Sequence, residues 1–107
     1  MPRTETLKML SEIKVAIPDA VTFRDLKLRY LEGGAVSFDY DVLRQVWIST
    51  GYHPELLAGA GTAEIAAFIV RFFSAYVKSG GVVDIETASV VGLLRDDTLP
   101  GRRLVPV

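Results

Sequence analysis

A chain of 107 residues with twelve Lys and Arg, thirteen Asp and Glu and no cysteine has the size of one domain, and folding should bury about two-thirds of the surface its unfolded form exposes. The absent thiols exclude a disulfide framework, a thiolate metal site and a cysteine nucleophile. The formal charge of -1 argues against diffuse, phosphate-driven nucleic-acid binding.

Half the residues are hydrophobic and 23% are charged, a globular balance, so one domain spanning residues 1–107 is expected. The N-terminal stretch mixes Arg3, Glu5 and Lys8 with polar residues and has no apolar core of a signal peptide. A reducing cytoplasm is the expected compartment. The apolar run from Ile65 to Val77 is broken by Arg71 and falls short of the roughly 20 residues a membrane span needs, so no membrane partner is expected.

The first predicted element is a helix from Thr4 to Ile17, with Leu7, Leu10, Ile13 and Ile17 at helical spacing and Pro18 as its stop. Next, Thr22 reads as an N-cap, Asp25 as a first-turn acid and Val21 as a staple against Leu26, with Gly33 as a left-handed C-terminal stop. The same stretch also reads as a hairpin. Leu28 and Tyr30 alternate with Lys27 and Arg29, Val36 and Phe38 alternate with Ser37 and Asp39, and a loop at Glu32-Gly33-Gly34 would set Val36 opposite Tyr30 on a shared face. The cap, the staple and the glycine favour the helix; a β-hairpin at about 26–40 is the alternative.

From Asp39 onward, Val42, Leu43, Val46, Trp47 and Thr50 form one helical face, with Asp39 and Asp41 at the positive end of the dipole and Gly51 as the stop. Pro54 fits the first position of a short helix through Leu57. The longest predicted helix runs from Thr62 to Ser79. It is apolar almost all round, with a narrow polar stripe of Glu64, Arg71, Ser74 and Lys78. A last helix is predicted from Asp84 to Arg95, with Ile85, Ala88, Val90, Val91 and Leu94 inward and Gly92 marking a close helix contact. The tail after Pro100-Gly101 reads as too short to fold alone. The expected fold is mainly α, a compact bundle of four or five helices, with an α+β form if the hairpin is adopted. Trp47, Phe68, Ile69, Phe72, Phe73 and Leu94 are the expected core.

The residues that carry chemistry are sparse. His53 is the only histidine, next to a proline in a turn, and reads as a loop residue. Asp39 and Asp41 are accounted for by the helix dipole, and Asp96-Asp97 by a solvated turn. Gly59-Ala60-Gly61-Thr62-Ala63-Glu64 starts like a dinucleotide fingerprint but has Glu64 where the third glycine belongs, and a helical turn precedes it where a strand is needed. Placing Gly51 in a helix-turn-helix leaves Pro54 to Gly61 without a base-reading side chain. No catalytic, metal or cofactor residue is assigned.

A helix apolar all round has too few neighbours in so small a domain. The expected function is therefore that of a non-enzymatic interaction protein, paired with itself through Phe68, Phe72, Phe73, Tyr76 and Val105, with another protein as the second choice of partner. A small DNA-binding regulator is the alternative, with Arg24, Lys27 and Arg29 as its basic face. A small enzyme or toxin is the second alternative.

Overall fold

The computed structural model describes residues 23–95 and 103–107. The helix expected at 4–17 and the acidic pair Asp96-Asp97 lie outside the described residues. A single 3-10 turn, Phe23–Leu26, leads into β1 (Arg29–Leu31) and β2 (Ala35–Phe38). Four helices follow: α1 (Tyr40–Ser49), α2 (Pro54–Ala58), α3 (Thr62–Lys78) and α4 (Ile85–Arg95). β3 (Arg103–Pro106) completes a sheet of order β1-β2-β3. The described architecture is α+β, a helical layer on a small sheet, and not the pure bundle expected from the sequence.

The favoured helix after Thr22 lasts one turn. The chain leaves it through Lys27 in a left-handed conformation (φ 53) and enters the hairpin, with Tyr30 opposite Val36 and Leu31 opposite Ala35. This is the register of the alternating pattern. The reason is burial: two strands put Leu28, Val36 and Phe38 together in the core, whereas a helix would have spread the first strand's residues around its circumference. Gly33 and Gly34 both take positive φ (83 and 80) in the turn, a conformation open to glycine at little cost. The glycine expected to end a helix thus turns a hairpin.

β3 was not expected from so short a tail. It pairs parallel to β2, Val36 beside Leu104 and Phe38 beside Pro106. The Arg103 N–H donates to the Gly34 carbonyl at 2.9 Å and the Val107 N–H to that of Phe38 at 2.7 Å. The main chain of Leu104 and Pro106 therefore turns to the outer edge, where proline has no N–H to offer a further strand.

The helices follow the sequence more closely. Asp39 caps α1 by accepting from the Val42 N–H at 3.2 Å, and Leu43, Val46 and Trp47 are buried. Pro54 opens α2 as expected. Asp84 caps α4, accepting from the Thr87 N–H at 2.7 Å. α3 packs on β3 and α4 on β1, so Phe68, Ile69, Phe72, Val90, Val91 and Leu94 meet Leu28, Val36 and Phe38 in one core.

Two helix faces differ from expectation. In α4 the inward residues are Thr87, Val90, Val91 and Leu94, while Ile85 and Ala88 are exposed. Gly92 is exposed too, with nothing within 4 Å of where its Cβ would stand, so it marks no close helix contact. In α3 the supposed polar stripe is not a solvent stripe. Glu64 is fully buried, and Arg71 and Ser74 are half-buried. Glu64 turns inward because its carboxylate accepts from the Gly61 N–H, closing the helix start in the manner of a capping box.

Candidate functional site

Three regions bring together residues with chemical or recognition potential: an aromatic and polar cluster inside the fold, the turn joining α3 to α4, and the outer face of the sheet.

The inner cluster is built on Trp47. Its ring lies 4.7 Å from Phe68 and 4.8 Å from Tyr52 by centroid, and its Nε1–H donates to the His53 carbonyl at 2.9 Å. Burial pushes the Tyr52 hydroxyl up to about 12, against the opposing pull of the Arg71 cation. Glu64 is fully buried at the start of the same helix. The cluster ties α1, the turn after it and α3 together, and it is a structural lock. His53 is exposed, and its side chain caps nothing; its carbonyl, which holds the indole, is what the fold uses. The glycine-rich step before α3 does not form a phosphate cradle, because the Glu64 carboxylate already occupies the Gly61 N–H. Asp39 is the cap of α1, and Asp41 is exposed in its first turn. Among the described residues, no group of His, Asp and Glu is placed to hold a metal, and no helix is long and apolar enough to cross a membrane.

The turn between α3 and α4 is closely specified. The Gly80 N–H donates to Val77 O at 3.0 Å and the Gly81 N–H to Tyr76 O at 2.9 Å, with Gly80 at φ 93: the paired bonds of a Schellman ending. The Tyr76 ring lies on Gly81 so closely that a Cβ there would stand 2.2 Å from Cε1. Past this stop the chain presents Val82 and then Ile85, the first residue of α4. Val77, Val82 and Ile85 are 47%, 82% and 86% exposed, with Phe73 and Tyr76 half-buried on α3 behind them. Lys78 and Glu86, which follow Val77 and Ile85 in the chain, are exposed as well.

Of the interface residues named from sequence, Phe68 and Phe72 are therefore corrected. Each is 1% exposed and is spent on the chain's own core, so neither can meet a partner. Phe73 and Tyr76 keep partial access, and Val105 is exposed on the sheet. Val82 and Ile85, exposed here, are not among the residues named from sequence. A lone valine in a glycine-rich turn has no periodicity to flag it, and helical spacing alone places Ile85 inward.

Arg29 and Arg103 on the sheet and Lys27 just before it are exposed, and Arg24 falls in the 3-10 turn. No protein-family model, curated protein or solved structure matches the chain, so the functional reading rests on these surfaces.

Proposed function

We propose that this chain is a small non-enzymatic interaction protein that pairs with a second copy of itself through the end of the α3–α4 pair. The observation that carries this reading is the grouping of Val77, Val82 and Ile85 in solvent on a turn held rigid by its own hydrogen bonds. Two of the three are more than four-fifths exposed, at a place where the chain has ordered backbone and not a loose loop. Apolar side chains grouped on an ordered surface favour burial against a partner.

A second copy suits this patch on grounds of charge. A twofold interface sets a surface against itself, so it must carry both signs to be self-complementary. Exposed Lys78 and Glu86, next in sequence to Val77 and Ile85, supply one charge of each sign beside the aliphatic residues. The sheet edge at β3 suits assembly less well, because Pro106 blunts it.

Light scattering at tens of micromolar tests the proposal. The expected mass is twice the 11.7 kDa of one chain, falling to the single mass in Ile85→Asp, which places a charge at the centre of the patch without touching the core. A single-chain mass for the parent protein, or a dimer indifferent to Ile85→Asp, would overturn it.

A further inference from the structure

The central strand of the sheet is buried on both of its faces. Arg29 is level with Ser37, and Ser37 with Val105; Leu31 is level with Ala35, and Ala35 with Arg103. Side chains two apart along a strand share a face, so these six residues form the outer face, and the row of Tyr30, Val36 and Leu104 belongs to the inner one. All of β2 is buried: Val36 and Phe38 on the inner face, Ala35 (4% exposed) and Ser37 (8%) on the outer.

Among the described residues, every helix is committed to the inner face. Trp47 of α1, Leu57 of α2, Phe72 of α3 and Val91 of α4 share one core cluster with Val36 and Phe38, and Ala35 is not part of it. On the outer face the middle is closed and the rims are partly open, with Leu31 at 39% and Val105 at 36% exposure. A layer laid along β2 gives this order. Half of the outer row, Leu31, Ala35 and Val105, is apolar, where a face turned to water would alternate to polar residues. Parallel pairing, as between β2 and β3, is also the habit of sheets covered on both faces.

We infer that the occupant of this face is the chain's own segment 4–17, which lies outside the described residues. Its sequence has the required chemistry: Leu7, Leu10, Ile13 and Ile17 at helical spacing, with Glu5, Lys8 and Glu12 gathered on the opposite side. A helix over this segment is about 21 Å long, enough to lie along β2, whose residues rise about 13 Å. Its tether fits too. Pro18 to Thr22 can span about 17 Å when extended, more than the roughly 10 Å from the first strand to the third, and they lead into the 3-10 turn that enters β1. The sheet is then the middle of three layers and offers a partner only its rims, whether or not copies pair at the α3–α4 turn.

Thiol protection in the full chain, which has no cysteine of its own, tests the inference. Ser37→Cys should react with a small thiol reagent on the order of 100-fold more slowly than Glu55→Cys on the exposed side of α2, since a covered thiol reacts only when its cover opens. Adding Leu10→Asp and Ile13→Asp should speed Ser37→Cys by about tenfold or more and leave both the Glu55→Cys rate and the fluorescence of Trp47 as they were. Equal rates at the two cysteines, or a slow Ser37→Cys indifferent to the two aspartates, would overturn the inference; the latter would mean that the sheet's own side chains close its face. A second measurement needs no change in the segment: a nitroxide on Arg103→Cys should broaden the amide resonances of residues 7–17, and one on Glu55→Cys should not. Equal broadening from both sites, or none from Arg103→Cys, would contradict the assignment. Broadening seen only between chains, in a mixture of spin-labelled and isotope-labelled protein, would overturn it as well and give the face to the segment of a second copy.

Discussion

Phe72 and Phe73 are adjacent, chemically identical and set about 100° apart around α3, so truncating each in turn tests which side of the helix carries the fold. Phe72 is 1% exposed within the core cluster, whereas Phe73 is half-buried at its margin. Removing a fully buried phenyl group costs about 3–5 kcal/mol, part transfer and part cavity, against a total of about 5–15 for a domain of this kind. At about 4–8 °C per kcal/mol for a chain near this size, Phe72→Ala should lower the melting temperature by about 12 °C or more. Phe73→Ala removes roughly half as much buried contact and should cost about 1.5–2.5 kcal/mol. Urea unfolding followed by the fluorescence of Trp47, the single tryptophan, gives both values on one signal. Should Phe72→Ala fail to fold, Phe72→Leu against Phe73→Leu keeps the comparison. An equal or larger loss at Phe73 would refute the placement of α3's inner face.

Gly92→Ala should stabilise the protein by about 1 kcal/mol in the same assay, since the added methyl meets nothing within 4 Å; a loss would mean that the outer face of α4 is covered. Lys27→Gly should raise stability by about 0.5–1 kcal/mol, because a left-handed backbone costs a side-chain-bearing residue more than it costs glycine. Destabilisation there would refute the left-handed exit from the 3-10 turn. In a spectrophotometric titration, one of the four tyrosines should ionise near pH 12, and Tyr52→Phe should remove that late phase. Because its folded pKa is raised, Tyr52 adds stability that is present in full below about pH 10 and lost as pH rises through about 12; a late phase that persists in the variant would contradict its burial.

The parts of the fold legible in the sequence are those governed by local signals. Asp39, Pro54 and Asp84 each satisfy or tolerate the open N–H groups at a helix start, and α1, α2 and α4 begin beside them. The 22–40 segment defeated the same logic because two local signals competed there. The cap won one turn, and the alternating pattern won the rest, since only the strands bury Leu28, Val36 and Phe38 jointly, with Tyr30 left exposed. β3 was illegible for a different reason: its partner, β2, lies more than sixty residues earlier, and parallel pairing leaves no turn in the sequence. In α4, apolar residues at 85, 90, 91, 93 and 94 surround much of the helix, so spacing alone could not select the face and Ile85 was turned the wrong way. Glu64 reads as polar on any scale, and its burial follows only from the glycine that precedes the helix at the cap position. The candidate surface inherits these errors: an apolar pattern almost all round α3 does not distinguish Phe68 and Phe72, which the core takes, from residues left in solvent, and it does not reach Val82 and Ile85.

The central claim, that two copies meet at the α3–α4 turn, is open to a direct test because the chain contains no cysteine. A single cysteine placed at Val82 lies within the proposed twofold contact, and one placed at Ile48 lies on the exposed side of α1, away from it. Under mild oxidation at tens of micromolar, Val82→Cys should convert rapidly to a covalent dimer, and Ile48→Cys should convert slowly, at the rate of chance collision. Adding Ile85→Asp should slow the Val82→Cys reaction to that same rate. Equal rates at the two positions, or a Val82→Cys reaction unaffected by Ile85→Asp, would contradict assembly through this surface.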